Sequence, residues 1–183
     1  MEANNMATNT EQKIIDNTIK MIDQAGYQNI SLRKLAQQFN MTTGAFYKHF
    51  KNKEELFYRT SIVLSEQVAN SLETTNGSAF EQLLAIAQGF CKLFQTNPNR
   101  MDFLFFNPTV INAYRQSNQD FPFLVMVRKL AHQFNPGEVS NDQFFNQIWS
   151  FIQGYALLIK NQVTSYDANL VEVTLLELTG ASK

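Results

Sequence analysis

SLRKLAQQFNMTTGAFYKHFKNK, residues 31–53, decides how the chain folds. It carries five basic side chains, Arg33, Lys34, Lys48, Lys51 and Lys53, and no acidic one. Its pattern is that of two short helices about a tight turn. Ser31 is placed as an N-cap, because a serine hydroxyl accepts a free amide of the first turn. Leu32, Leu35, Ala36 and Phe39 recur at helical spacing. Asn40 tolerates the left-handed backbone that ends such a helix, and Met41 is an apolar plug. Thr42 caps the next helix, which carries Ala45, Phe46, His49 and Phe50. Phe46 and Phe50, one turn apart, face a core, while Thr43, Tyr47 and Lys48 face outward. A helix-turn-helix with a polar, hydrogen-bonding outer face is what recognition in a DNA major groove needs.

The rest of the chain reads as helix on both sides of this stretch. Residues 1–9 are expected to be a disordered tail. Thr10 caps a first helix to about residue 25, with Ile15, Ile19 and Ile22 as its buried stripe, and Gly26 ends it. Asn52 caps a fourth helix, with Glu55 at the capping-box position, that runs to about residue 72 as a connector. Ser78 and Glu81 open another helix as a capping box, stopped at Asn97-Pro98. The apolar crowd in residues 100–121 is not resolved into elements, although Asn107-Pro108 could open a short helix. Pro122 starts a further helical segment, closed by Asn135-Pro136-Gly137. Ser140 and Gln143 open a long helix to about residue 163, and residues 170–178 form the last one. No segment alternates at period two for long, so the fold is expected to be all-α.

Residue for residue, one stretch is more specific than a generic motif. A first helix is followed by Ser31-x-Arg33-x-Leu35-Ala36, then by Met41-Thr42-Thr43-Gly44-Ala45-Phe46-Tyr47-x-His49-Phe50-x-Asn52-Lys53-Glu54-x-Leu56. This run resembles the DNA-binding domain of the TetR family of repressors, without a gap, over residues 11–56. The portion from Phe46 to Lys53 is its specific part. The resemblance implies an N-terminal three-helix DNA-binding domain, residues 10–56, and a C-terminal helical domain for effector binding and dimerisation, residues 57–183. It implies a homodimer that reads a palindromic double-stranded operator and is released by a small apolar or amphipathic effector.

By family position, Tyr47 and His49 approach phosphate, and Thr42, Thr43, Gly44 and Ala45 lie nearest base edges. The chemistry suits those places. Tyrosine and histidine donate to phosphate oxygens, which sets register without reading sequence. Threonine hydrogen-bonds or offers its methyl to thymine, and Ala45 makes apolar contact only. Gly44 lets backbones approach, at a helix cost of about 1 kcal/mol relative to alanine. Lys48 faces outward beside them. Lys53 and the amides at the start of helix four can clasp the same backbone. Arg33 is open between guanine, phosphate and solvent. Tyr47 has a half-buried core place as its alternative, and His49 a structural bond inside the domain.

Twelve of the sixteen phenylalanines fall between Phe80 and Phe151. Pockets for apolar ligands are lined this way, as are plain Phe-rich cores. By family position Phe90, Phe94, Phe103, Phe106, Phe123, Met126 and Trp149 border an effector pocket. The last two helices are apolar on more than one face, with Ile148, Phe151, Ile152, Tyr155, Ile159, Val171, Leu175 and Leu178 expected at a two-fold dimer interface. Gly154 would allow close helix approach there.

The net charge of −1 hides an uneven distribution, since the +5 cluster of residues 31–53 sits in an otherwise acidic chain. Cys91 is the single cysteine, which rules out an internal disulfide and a cysteine-rich metal site. No metal and no cofactor are expected. The polar N-terminus lacks the apolar core of a signal peptide, and no apolar run reaches membrane-spanning length. The chain is expected in the cytoplasm. There is no phosphate-binding glycine loop, no His-Glu-x-x-His and no Gly-x-Ser-x-Gly, and Cys91 with His132 is a remote nucleophile–base pair, so no enzyme is expected. Two other readings stay open: a DNA-binding regulator or architectural protein of the same fold without a small effector, which a structure lacking a cavity would favour, and a helical interaction module that has lost DNA binding.

Overall fold

The computed structural model describes residues 2–72, 76–116, 121–135 and 137–180. Among them no strand occurs. The helices are α1 (Glu2–Ala25), α2 (Leu32–Gln38), α3 (Thr43–Phe46), α4 (Lys53–Leu72), α5 (Ala79–Thr96), α6 (Pro98–Phe106), α7 (Pro108–Gln116), α8 (Pro122–Ala131), α9 (Asn141–Lys160) and α10 (Ala168–Thr179). Short 3-10 turns stand at Tyr27–Asn29 and His132–Phe134. The chain divides into two compact units: Met1–Ser65 with Asn99–Asp120, and Glu66–Pro98 with Phe121–Lys183. No helix among the described residues is long and apolar enough to cross a membrane.

The first helix begins at Glu2 rather than Thr10, so the expected cap lies inside it and the expected tail has helical backbone. Residues 2–9 contain neither proline nor glycine, and nothing in them stops a helix. At its other end Gly26 takes φ 74° and ψ 159°, an extended positive-φ conformation open to glycine rather than the left-handed helical one expected of it. Ile14, Ile15, Ile19 and Ile22 form the buried stripe, packed in the first unit with Leu35, Phe46, Phe50, Leu56 and Phe57. The apolar crowd after Pro98 resolves into two helices. Pro98 and Pro108 each stand at a first helical position, where the missing N–H costs nothing. Asn107 caps the second, its side chain accepting from the Thr109 amide at 3.0 Å.

In the second unit α5 packs against α8, α9 and α10. Ser78 and Glu81 form the expected capping box at its start, and Ser140 with Gln143 forms another before α9. Tyr155 pins the link between α9 and α10. Its hydroxyl donates to the Ser165 carbonyl at 3.0 Å and accepts from the Asp167 amide at 2.7 Å. Asp167 then caps α10. Tyr155→Phe leaves two backbone groups without this partner and is expected to cost about 1–3 kcal/mol. A urea unfolding midpoint equal to that of the unsubstituted protein contradicts the pin.

Candidate nucleic-acid interface and the effector-domain cavity

The turn between α2 and α3 is fixed by backbone chemistry. Asn40 takes φ 51°. The Met41 amide donates to Ala36 at 2.9 Å and the Asn40 amide to Gln37 at 3.1 Å, the paired bonds of a Schellman motif. Thr42 then caps α3, accepting from the Ala45 amide at 3.1 Å. The recognition helix is shorter than expected. Regular α-helix ends at Phe46, and Tyr47, Lys48 and His49 continue as turns. Lys48 and His49 donate to Ala45 and Phe46, three residues back, so the backbone tightens there.

Phe46 and Phe50 are fully buried, with ring centroids 5.8 Å apart, and so set which face points out. Thr42, Thr43, Gly44 and Lys48 are exposed, and Tyr47 is 48% exposed. That removes the core alternative for Tyr47. A Cβ built on Gly44 meets nothing within 4 Å, so the space over this turn is open to a partner. Ala45 is half-buried and Arg33 exposed.

His49 is half-buried, and its Nδ1 lies 3.7 Å from a carboxylate oxygen of Glu11 on α1. Both sequence alternatives for this residue therefore have a physical basis. Glu11 carries no signal in the sequence beyond its charge.

Lys53 opens α4 with its ammonium 4.9 Å from the centre of the Phe57 ring, one turn on. Burial pushes its pKa down, and the neighbouring Glu54 carboxylate acts in the opposite direction. Asn52 caps α4 by accepting from the Glu55 amide at 2.8 Å. Glu55 reaches back one residue further than a capping box requires, to the Lys51 amide at 2.7 Å. Arg59, Arg100 and Arg128 are each tied to a carboxylate. Among the described residues none of Arg33, Lys34, Lys48, Lys51 and Lys53 forms such an ion pair. Unpaired cations are the ones that displace counterions from a nucleic-acid backbone.

The second unit holds a small apolar cavity. Phe90, Phe123 and Trp149 line it together with Val127, Ile148 and Ile152. Phe90 and Phe123 stack at 5.4 Å, and Trp149 lies 5.2 Å from Phe90. The free volume is about 10 Å³, roughly what one water molecule needs. Three of the seven residues expected at a pocket are thus brought together. The other four do not line this cavity. Phe103 is buried in the first unit, 5.2 Å from Phe57 and 5.9 Å from Tyr27. Phe106 belongs to that unit too. Phe94 packs edge-on against Phe90 at 5.3 Å without lining the void, and Met126 lies outside the lining. Helical spacing does not tell which of many phenylalanines meet at one void.

The expected dimer interface needs a larger correction. Ile148, Ile152, Tyr155, Ile159, Val171 and Leu175 are buried within the single chain and offer no surface. They are the core-facing stripes of α9 and α10. Phe151 and Leu178 are half-buried. The exposed apolar residues on these helices are Leu157, Leu158, Leu170 and Val173.

Cys91 is fully buried, and burial pushes its thiol up to about 12. Thiolate is the reactive form, so this group is inert near neutral pH. It is expected to resist an aromatic disulfide reagent in the native protein and to react fully in denaturant. Fast native labelling contradicts this packing.

A helix-turn-helix with an open polar face, in a chain otherwise built of helices, defines a class of regulator-like folds. The model of bacterial regulatory proteins of the tetR family matches residues 14–60. The Transposon Tn10 TetC protein of Escherichia coli is 30% identical over 79 residues, which span 40% of this chain and 40% of that protein. Among solved structures, RolR in complex with resorcinol aligns with TM-score 0.71 at 13% identity, covering 97% of this chain and 91% of RolR. BioQ with its natural double-stranded DNA operator aligns with TM-score 0.68 at 16% identity, covering 93% and 98%. The family match thus lies in residues 14–60, the likeness to the solved structures is one of fold, and the chain spans less than half the length of the curated relatives it matches.

Proposed function

We propose that the protein is a sequence-specific, DNA-binding transcriptional regulator. The observation that carries this reading is the exposed face of Thr42, Thr43, Gly44, Tyr47 and Lys48 above buried Phe46 and Phe50, beside unpaired cations. BioQ, of similar fold, is seen on its operator. In this reading residues 10–56 bind DNA, α4 is the connector, and residues 57–183 serve effector binding and dimerisation. Thr42, Thr43, Gly44 and Ala45 approach base edges. Tyr47, His49 and Lys53 hold phosphates, and Arg33 and Lys48 add positive charge at the same surface.

The protein acts as a homodimer on a palindromic operator. The exposed leucines of α9 and Val173 of α10, with Phe151 and Leu178, supply apolar surface for a self-complementary contact. It is a repressor released by a small apolar or amphipathic effector. RolR is seen with resorcinol, and a ligand of that kind would enter at Phe90, Phe123 and Trp149. The void there has the volume of about one water molecule, so a ligand must displace aromatic rings. A ligand that binds the opened arrangement better shifts the equilibrium by its differential affinity and no more. The closed void also favours a second reading, a regulator of the same fold without a small effector.

Lys53→Ala tests the contact scheme. It is expected to weaken binding to all DNA sequences alike and to lower the salt dependence by about one phosphate. A change in which sequence is preferred contradicts the placement of Lys53 on the backbone.

A further inference from the structure

Glu11 holds groups from two other elements at once. One carboxylate oxygen lies 3.7 Å from Nδ1 of His49, and the other accepts from Nη2 of Arg59, on α4, at 2.7 Å. Arg59 lies over the Phe50 ring, its guanidinium carbon 5.1 Å from the centroid. The carboxylate is therefore itself held in place. Arg59 fixes one oxygen, Phe50 fixes Arg59, and the remaining oxygen is presented to the imidazole. His49 Nε2 has no partner among the described residues, and the side chain keeps 19% of its surface exposed.

We infer that Glu11 is a positioning residue for His49, turning Nδ1 inward so that the ring meets a DNA phosphate through Nε2 as an imidazolium. Binding of DNA then takes up a proton. The inference rests on the DNA-binding reading above. A neutral imidazole has one N–H and one lone pair. A neutral ring with its N–H toward Glu11 would point a lone pair at a phosphate oxygen, and the other tautomer would set a lone pair against the carboxylate 3.7 Å away, so either neutral form leaves one acceptor facing an anion. Only the imidazolium donates from both nitrogens.

Charge favours the same form. At 3.7 Å the His49–Glu11 pair is at ion-pair rather than hydrogen-bond distance. Arg59 neutralises part of the Glu11 charge. A phosphate on the outer side adds the second anion, and anions on both sides favour the charged ring. Proton uptake thus belongs to the complex. It raises affinity at low pH and is lost as pH rises.

The test uses the full chain and labelled duplex DNA from upstream of its own gene. Fluorescence anisotropy is read at fixed ionic strength from about pH 5.5 to 8.5, the range in which histidine charge changes. Affinity of the unsubstituted protein is expected to fall with pH by up to about tenfold per unit for each His49 engaged. His49→Gln, whose amide still donates, gives a flat profile. Glu11→Gln flattens the profile and loses more affinity at low pH than at high pH. Arg59→Gln, which loosens the carboxylate but leaves its charge, retains the pH dependence. A flat profile for the unsubstituted protein, or a Glu11→Gln protein with an unchanged slope, overturns the inference while DNA binding stands. Arg59→Gln and Glu11→Gln behaving alike also overturns it, because the clasp would then be structural only. An unsubstituted protein that binds no DNA at any pH overturns both readings.

Discussion

Replacing Phe46 with alanine is expected to destabilise the first unit by about 3–5 kcal/mol, the range for removing a large aromatic from a packed core. Phe46 is 0% exposed and packs 5.8 Å from Phe50, which is buried as well. Such a loss is a large part of a typical domain's net stability of about 5–15 kcal/mol. It should also remove DNA binding, because Phe46 sets which way Thr43, Tyr47 and Lys48 point. The neighbouring Thr43→Ala makes the control. Thr43 is exposed, and its loss should stay within about 0.5 kcal/mol while DNA recognition changes. Urea unfolding followed by far-ultraviolet circular dichroism reads both. Equal midpoints for the two variants would mean that the helix-turn-helix is not built on Phe46.

Phe90→Ala carries a comparable penalty for a different reason. Phe90 is fully buried and lies against Phe94, Phe123 and Trp149. It also walls a void of about 10 Å³. Deleting its ring joins the vacated space to that void, so the cavity cost adds to the lost transfer energy, for a total of about 3–5 kcal/mol. Trp149 is the sole tryptophan, and its emission reports the change at the site itself. A cavity lined by apolar side chains stays dry and accepts small aromatic molecules. Benzene or phenol should therefore raise the melting temperature of the Phe90→Ala protein more than that of the unsubstituted one. If neither the melting temperature nor the tryptophan emission changes, Phe90 does not wall this void.

Much of the local architecture was legible because short-range chemistry writes it. Thr42, Ser78 and Ser140 were marked as caps by side chains that accept from amides three residues on, and Asn40 by its tolerance of positive φ. The contact face was legible because Phe46 and Phe50, one turn apart, must both go inward. What failed was long-range. Burial of α9 and α10 does not follow from their own composition. A helix apolar on several sides fits a subunit interface or a chain's own core, and the stripe from Ile148 to Ile159 is core. The surface that remains for a partner lies on Leu157, Leu158, Leu170 and Val173, between the stripes that drew attention. Phe103 was misplaced because α6 groups with the first unit despite following α5 in the chain. The Glu11–His49–Arg59 clasp joins three elements, and only tertiary structure brings them together.

The most direct test of the central claim is an anisotropy titration of the unsubstituted protein against labelled DNA from upstream of its own gene, beside scrambled DNA, at several salt concentrations. The account predicts tighter binding to the native DNA, with affinity to both falling steeply as salt rises, since unpaired cations replace released counterions. No binding to either duplex, even at low salt, would contradict it.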